Sequence, residues 1–192
     1  MIAILKYNAG NITSVENALK RIGAECIITN DKDALQQADK VIFPGVGEAN
    51  TAMNFLKKDG LDDLIINLKQ PVLGICLGLQ LMCEHSEEGN TAGLNIFETS
   101  VKKFPATGIV PHMGWNNIKN TTSVLFEHSD KMMDYYFVHS YYAETNHQTV
   151  ATCNYLLPFA AALQKDNFYA TQFHPEKSGD AGEIILKNFI KL

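Results

Sequence analysis

Short apolar runs alternate with amphipathic segments through the first half of the chain. The runs IAILKY, ECIIT, KVIFP and PVLGI have the composition of buried strands. Helical patterns lie between them, over roughly residues 14–22, near Ala34, and over roughly residues 50–57 and 61–68. Because strands that alternate with helices are typical of βαβ units, the pattern predicts an α/β fold: an open, mostly parallel sheet flanked by helices.

The second half of the chain is richer in β-like runs. SVKKFP, GIVPHMGWN, YYFVHSYYAE and TVATCN are short runs separated by turns, and FAAALQKDNFYATQF is a strand pair with a predicted hairpin at Asp166 and Asn167. GEIILKNFIKL closes the chain as an amphipathic helix. Since no repeat or linker divides the sequence, we expect one domain over residues 1–192, whose β-rich half extends the same sheet or lies against it.

Composition narrows the class of protein and of partner. Of the 192 residues, 46% are hydrophobic and 19% are charged, as in ordinary globular proteins. The net charge of -5, with no cluster of lysine and arginine, argues against nucleic acid or an anionic membrane as the main partner. The N-terminus lacks the basic region of a signal peptide, and no apolar run approaches the roughly 20 residues that span a bilayer. We therefore expect a cytosolic protein.

Neither the cysteines nor the histidines have the spacing of metal ligands. The cysteines form no C-x-x-C pair, and a reducing compartment would keep them as thiols: Cys26, Cys76, Cys83 and Cys153. None of the histidines outside FHPEKS shares a helical face with a second ligand. We expect no metal and no cofactor.

Cys76 lies inside Gly74-Ile75-Cys76-Leu77-Gly78, in the apolar run VLGICLGLQLM. The first part of this run predicts a buried strand, and Leu77 to Cys83 predicts a helix. A cysteine at the turn between them would be the thiol form of the G-x-S-x-G nucleophile elbow, with a helix N-terminus that favours the thiolate. The alternative is that Cys76 packs in the core, as free cysteines commonly do.

FHPEKS supplies a candidate base for that thiol. His174 and Glu176 are two residues apart, so in an extended chain both side chains project to the same side. The carboxylate can then hold one imidazole nitrogen while the other faces the thiol. An exposed His-Glu pair on a loop is the alternative for H-x-E taken by itself.

Attack on a carbonyl also requires donors for the developing negative charge. The backbone N–H of Leu77 follows the candidate nucleophile, and the loop Pro44 to Gly47 (PGVG) lies at the same predicted sheet edge, where open α/β sheets bind ligands. As a phosphate loop GVGEAN lacks the third glycine of G-x-G-x-x-G. An ordinary turn is the alternative for these glycines.

The single tryptophan, Trp115, lies in PHMGWN, which we place in a loop. A large aromatic residue there is either a plug of the core or an anchor at an interface. From the residues alone, the core position is favoured.

Together, GICLGLQ, FHPEKS and PGVG resemble the motifs of the class I (triad) glutamine amidotransferases, which have a flavodoxin-like fold. With YNAGN, VPHMGWN and YFVHSY added, the resemblance covers nearly the whole chain. Within the class, the sequence is most similar to the glutaminase subunits of imidazole glycerol phosphate synthases. It implies Cys76 as nucleophile, His174 as base and then acid, and Glu176 as the group that orients His174.

The resemblance also implies roles for residues around this triad. The oxyanion hole falls on the backbone of Val46 and Leu77. Substrate contacts fall on Gly47, Gln80 and Ser140. The implied interface with a partner includes Asn11, Trp115 and Lys177, which places Trp115 at the surface. In the family, the PGVG strand can turn so that its carbonyl blocks the hole, and the glycines beside Val46 would make such a rotation sterically easy.

The implied reaction is hydrolysis of glutamine to glutamate and ammonia. The family passes the ammonia to a cyclase partner with a (β/α)8 barrel, in a heterodimer that makes imidazole glycerol phosphate and AICAR for histidine biosynthesis. This chain departs from the family pattern in YNAGN, where the loop is usually richer in glycine, and at Gly179. Neither departure touches the triad.

Three other interpretations remain open at this point. The same triad could serve another synthase, such as the pyridoxal phosphate or anthranilate systems. A cysteine hydrolase or protease could use the same sheet. The chain could also be a binding module in which Cys76 is buried and inert.

Overall fold

Strands and helices alternate up to residue 82, and strands dominate from there to the last helix. The structure, a computed structural model, describes residues 1–130 and 132–192. Its strands are β1 (Ile2–Leu5), β2 (Cys26–Thr29), β3 (Lys40–Phe43), β4 (Val72–Ile75), β5 (Cys83–Ser86), β6 (Thr91–Ala92), β7 (Phe97–Lys103), β8 (His112–Asn117), β9 (Asp134–His139), β10 (Tyr141–Ala143), β11 (Thr149–Tyr155), β12 (Leu157–Lys165) and β13 (Phe168–Thr171). Its α-helices are α1 (Ile12–Arg21), α2 (Lys32–Gln37), α3 (Ala49–Asp59), α4 (Leu61–Asn67), α5 (Leu77–Met82) and α6 (Gly179–Lys191).

A seven-stranded sheet in the order β11-β12-β13-β4-β3-β1-β2 forms the centre of the molecule. The five strands β13, β4, β3, β1 and β2 are parallel to their neighbours in this order, whereas the pairs β11-β12 and β12-β13 are antiparallel. This confirms the predicted open, mostly parallel sheet. The predicted hairpin is also confirmed, since Lys165 pairs with Phe168 across the turn at Asp166 and Asn167.

Helices cover both faces of this sheet. On one face, α2, α3 and α4 bury side chains such as Leu35, Leu56 and Ile65. On the other face, α1 and α6 bury side chains such as Leu19 and Phe189. Each such side chain stabilises the fold by about 1.5–3 kcal/mol when fully buried. The two helical layers therefore pack firmly on the sheet and keep the strand ends in fixed positions.

Beyond this sheet, the β-rich half contains two smaller β structures. β10, β7, β5 and β6 form a four-stranded sheet, and β8 pairs antiparallel with β9 in a ribbon that places His112 opposite His139. Both expected arrangements are therefore found: β11 to β13 extend the central sheet, whereas β7, β8 and β10 lie against its strands β11 and β12. The separate sheet was missed because β5, with the sequence CEHS, has no apolar alternation and is defined by its backbone pairing with β7.

The described residues contain neither a membrane-spanning helix nor a cluster of metal ligands. Within residues 1–130 and 132–192, every helix is too short or too polar to traverse a lipid bilayer. Over the same residues, no three side chains of His, Cys, Asp or Glu are grouped as ligands for a metal ion. The four cysteines are free thiols.

Candidate active site

Cys76 occupies the tight turn between β4 and α5. Its backbone has φ 52° and ψ -100°, a conformation that residues with a side chain rarely adopt. Its N–H donates to the carbonyl of Thr171, at an N···O distance of 2.7 Å, which ties the turn to the end of β13. The strained turn places the sulfur at the carboxyl edge of the sheet, as the nucleophile-elbow interpretation requires.

The glycines on either side of Cys76 are required by close backbone approach. A Cβ on Gly78 would lie 2.0 Å from the carbonyl oxygen of Phe43 on the neighbouring strand. A Cβ on Gly74 would lie 3.0 Å from the carbonyl carbon of Gly78 and 2.9 Å from the sulfur of Met82. The G-x-C-x-G spacing therefore follows from the packing of α5 onto β3 and β4.

His174 and Glu176 form a buried pair just beyond β13. His174 Nδ1 lies 2.7 Å from Glu176 Oε1, and both side chains are fully buried. The prediction that an extended chain brings them together is wrong in its local geometry, because residues Pro175–Lys177 form a 3-10 turn. The turn still directs the carboxylate back to the imidazole.

The hydrogen bond to Glu176 determines which nitrogen of His174 faces the thiol. Because the carboxylate accepts from Nδ1–H, Nε2 is left for Cys76, and Nε2 is buried without a hydrogen-bond partner. Burial by itself lowers the pKa of His174, but the negative charges of Cys76 and Glu176 outweigh it and raise the pKa to about 10. The site therefore favours a protonated imidazole beside the sulfur.

Asn11 contacts this pair, a role that the sequence had not indicated. Its Nδ2 donates to Glu176 Oε1 and lies 3.5 Å from His174 Nδ1. Asn11 precedes α1 in the left-handed conformation, with φ 73°. The residue implied as an interface contact thus also holds the carboxylate that orients His174.

A cavity of about 260 Å³ opens beside Cys76. It contains all the residues implied for the oxyanion hole and the substrate, together with several that were not predicted. Its lining is Val46, Gly47, Cys76, Leu77, Gln80, Glu88, Pro111, Val138, His139, Ser140 and Tyr141. A larger cavity of about 420 Å³ between Ile118 and Tyr135 contains none of the triad.

Gln80 is held in one orientation at the wall of this cavity. Its Nε2 donates to the carbonyl of Tyr141 at 2.9 Å and to Gln172 Oε1 at 3.1 Å. Gln172 in turn donates from its Nε2 to Cys76 Sγ at 3.5 Å. With both amide hydrogens of Gln80 used, its Oε1 is the atom left to accept a hydrogen bond from a ligand.

Glu88 is a cavity residue that sequence reasoning missed. Its carboxylate accepts from the N–H of Ala49 at 2.9 Å, and burial raises its pKa. It lies in SEEGN, directly after a second glutamate, with no spacing that would distinguish it from an exposed glutamate. An acidic group here gives the cavity an attachment point for a cationic amine.

The backbone donors expected for an oxyanion are not both free. The N–H of Leu77 donates to the carbonyl of Gly45 at 3.3 Å, so the peptide between Gly45 and Val46 directs its oxygen toward the nucleophile turn. The next carbonyl, that of Val46, accepts from the N–H of Gly10 at 3.2 Å. In this structure the N–H of Leu77 is therefore occupied by the PGVG loop and is not free for a ligand.

Trp115 is 57% exposed on β8, so the core position favoured from the residues alone is wrong, as is the loop. Its ring centroid lies 5.9 Å from that of Tyr136, edge to face, and Lys177 Nζ lies 5.9 Å above the same Tyr136 ring. These three side chains are called the aromatic patch below. The carbonyl of Tyr136 accepts from the N–H of His174 at 2.9 Å, which joins the patch to the triad.

The architecture and the site together define the class of protein. The sequence model of class I glutamine amidotransferases matches residues 3–192. The chain belongs to this family.

Curated relatives define the branch within it. The chain is 61% identical, over 100% of its length and 99% of the relative's, to imidazole glycerol phosphate synthase subunit HisH of Bacteroides thetaiotaomicron. It is 45% identical, over the same shares, to the HisH subunit of Escherichia coli. Among solved structures, a glutamine amidotransferase covers 99% of this chain and 97% of its own, at 19% identity and a TM-score of 0.78, which shows the shared fold. Within the class, the chain belongs to the HisH subunits of imidazole glycerol phosphate synthase.

Proposed function

We propose that residues 1–192 form one glutaminase domain in which Cys76, His174 and Glu176 hydrolyse glutamine to glutamate and ammonia. One observation carries this assignment: the sulfur at the strained turn borders a cavity, and the buried Nε2 of a carboxylate-oriented histidine is available to it. Membership of the HisH subunits supports glutamine as the substrate. It favours the glutaminase over a protease, an inert binding module, or a component of another synthase.

The first half of the reaction forms a thioester. The Cys76 thiolate adds to the side-chain carboxamide carbon of glutamine, and the negative charge moves to the amide oxygen. Protonated His174 gives its Nε2 proton to the amide nitrogen, the C–N bond breaks, and ammonia leaves. Glu176 keeps the proton on Nδ1 and stabilises the charged ring.

The second half returns the enzyme to its starting state. Neutral His174 takes a proton from water, the resulting hydroxide adds to the thioester carbon, and the C–S bond breaks. Glutamate is released and the thiolate is restored beside the protonated imidazole. The raised pKa of His174 suits this resting ion pair.

The cavity residues other than Cys76 recognise the amino-acid part of glutamine. Gln80 Oε1 and the Glu88 carboxylate can accept from the α-ammonium group, while Ser140 and the backbone at Gly47 border the rest of the substrate. This set of acceptors selects an amino acid over a simple amide, since a ligand without the ammonium group would leave the charge of Glu88 without a cation beside it.

The hydrogen bond from the N–H of Leu77 to the PGVG loop supports an enzyme whose activity is gated. To stabilise the oxyanion with the N–H groups of Val46 and Leu77, the peptide between Gly45 and Val46 must rotate and release Leu77. Rotation about bonds of glycine is sterically easy. We infer that the isolated chain is slow and that a docked partner favours the rotated peptide.

The partner that fits is the cyclase of the same synthase, a (β/α)8 barrel, joined to this chain in a heterodimer. The subunit name of the relatives implies a complex, and ammonia must reach a second site before it becomes ammonium in water. The aromatic patch and Asn11 lie next to the triad and provide the docking surface. The cyclase then makes imidazole glycerol phosphate and AICAR.

We place this activity in the cytoplasm, with neither nucleic acid nor a membrane as partner. The four free thiols and the net charge of -5 support that location.

Glutamate release tests the proposal. Wild-type chain should release glutamate slowly alone and at least about a hundredfold faster with the cyclase and its nucleotide ligand. Cys76→Ser should abolish release in both conditions, whereas Cys26→Ser, at a thiol far from the cavity, should retain it. Equal rates with and without the cyclase would refute the gating, and turnover by Cys76→Ser would refute the nucleophile.

A further inference from the structure

Two buried histidines lie beside the triad without belonging to it. His112 on β8 and His139 on β9 face each other across the ribbon, with His112 Nδ1 3.0 Å from His139 Nε2. They are 3% and 6% exposed. His139 also lines the cavity that contains Cys76.

Their hydrogen bonds determine both tautomers. His139 Nδ1 lies 2.7 Å from the carbonyl oxygen of Tyr141, which can only accept, so Nδ1 carries the hydrogen and Nε2 is an acceptor. His112 Nδ1 must therefore donate to His139 Nε2. His112 Nε2, now an acceptor, receives the Nδ2–H of Asn116 at 3.2 Å. All four ring nitrogens are used, and both rings are neutral.

The surroundings keep the rings neutral. The His112 ring stacks on Tyr155 at a centroid distance of 4.1 Å and on Phe137 at 4.8 Å. Burial lowers the pKa of His112 to about 4 and that of His139 to about 3. A proton added to His112 Nε2 would set an N–H against the amide donor of Asn116. A proton added to His139 Nε2 would require the His112 hydrogen to move from Nδ1 to Nε2, which sets the same two donors against each other.

The chain of hydrogen bonds continues into the substrate cavity. The Tyr141 carbonyl that accepts from His139 also accepts from Gln80 Nε2 at 2.9 Å. Gln80 owes its orientation to this carbonyl and to Gln172. Displacing the carbonyl would free Gln80 to rotate, and its Oε1 would no longer point to the ligand.

We propose that His112 and His139 are positioning residues for glutamine. Asn116 holds His112 in one tautomer, His112 holds His139, and His139 fixes the Tyr141 carbonyl. That carbonyl in turn fixes the side-chain amide of Gln80. The inference rests on the proposed function, because it assigns Gln80 to glutamine binding. It gives the pair no contact with the reacting atoms. Its effect is therefore on glutamine affinity and not on the chemical step.

Two isosteric substitutions separate the bonds of His139. In His139→Asn, the Nδ2–H can take the place of Nδ1–H and keep the bond to Tyr141. In His139→Gln, the Oε1 can take the place of Nε2 and keep the bond to His112, but the bond to Tyr141 is lost. With the cyclase bound, KM for glutamine should be at least about tenfold higher in His139→Gln than in His139→Asn, with kcat of the two within about threefold. Equal KM values, or a difference in kcat alone, would overturn the proposal.

The tautomers are measured directly by long-range 15N NMR correlations. At pH 6.5, both rings should be neutral with the hydrogen on Nδ1. His112→Asn, which keeps a donor toward His139, should leave His139 in that tautomer, because the Tyr141 carbonyl still accepts from Nδ1–H. An imidazolium ring or an Nε2–H tautomer in the wild type would overturn the proposal.

These two measurements test the histidine pair separately from the proposed glutaminase function. If the wild type releases no glutamate with any partner, the proposed function is overturned. The NMR measurement needs no turnover, so it still shows whether the two tautomers are fixed. Turnover by the wild type with equal KM values in the two His139 variants would overturn the inference alone.

Discussion

The carbonyl oxygen of Gly45 lies 3.3 Å from the backbone nitrogen of Leu77, the residue that follows Cys76. The peptides on either side are held separately, since Tyr7 Oη donates to the carbonyl of Pro44 at 2.6 Å and Gly10 N–H donates to that of Val46 at 3.2 Å. Rotation of the single peptide between Gly45 and Val46 would therefore release Leu77 without breaking either neighbouring bond. The proposed gate therefore involves one peptide unit.

The contact between Tyr7 and Gly45 can be tested by a double-mutant cycle. A Cβ on Gly45 would lie 2.2 Å from the Tyr7 hydroxyl oxygen. Gly45→Ala should therefore lower the free energy of unfolding by about 2 kcal/mol or more in the wild type, and by at least about 1 kcal/mol less in Tyr7→Phe. Urea unfolding measures both values.

The matched control for this cycle is Tyr155→Phe, which removes a hydroxyl that also donates to a carbonyl, that of Ile109, at 2.6 Å. Gly45→Ala should cost the same in that background as in the wild type. Equal relief by the two tyrosine variants would show that the clash with Tyr7 is not the cause.

Gly78→Ala tests the packing of the nucleophile turn. The added Cβ would meet the Phe43 carbonyl at 2.0 Å, and backbone on both sides must move. We expect a loss of more than about 2 kcal/mol in unfolding free energy, with glutaminase activity falling because Cys76 is displaced. Gly23→Ala is the control: its Cβ meets nothing within 4 Å and only the left-handed φ of 76° is strained, so it should cost about 1 kcal/mol and leave activity intact. Similar losses of activity in both variants would contradict the close-approach argument.

The histidine pair should make the protein sensitive to acid. In the unfolded chain a histidine has a pKa of about 6.5, whereas burial lowers that of His112 to about 4. Below pH 6.5 the unfolded state binds protons that the folded state refuses, so stability is lost as the pH falls from about 6.5 to about 4. The slope is at most about 1.4 kcal/mol per pH unit for each such histidine.

Unfolding by urea at several pH values measures this slope. His112→Phe retains an aromatic ring for stacking and should make the slope shallower between pH 6.5 and 4. His147→Gln removes a histidine whose side chain is 70% exposed and should leave the slope as in the wild type. A parallel change in the two variants would rule out the buried pair as the origin.

Asn11→Asp tests the hydrogen bond that supports Glu176. An aspartate cannot donate to Glu176 Oε1, and its charge would repel the carboxylate that orients His174. With saturating cyclase, kcat for glutamate release should fall at least about tenfold. Asn8→Asp makes the same charge change at an exposed residue whose amide donates to Thr51, and should have little effect. A comparable loss in Asn8→Asp would point to net charge and not to the contact with Glu176.

How far the sequence could predict this structure depends on how local each feature is. The turn at Cys76 was predictable because G-x-C-x-G encodes it within five residues. The strands β1, β3 and β4 were predictable because buried parallel strands are mostly apolar. The ribbon that pairs His112 with His139 depends on a register between segments 27 residues apart, which no local pattern specifies. Glu88 was missed for the same reason, since it becomes a cavity residue only when β5 joins β7.

The covalent state of Cys76 tests directly whether this residue is the nucleophile. The chain, with the cyclase and its ligand bound, is exposed to a glutamine-mimicking electrophile, digested and analysed by mass spectrometry. We expect one label, on Cys76, at a rate that drops sharply in His174→Gln and is unchanged in His147→Gln. Labelling of any other cysteine in place of Cys76, or an equal rate in His174→Gln, would contradict this assignment.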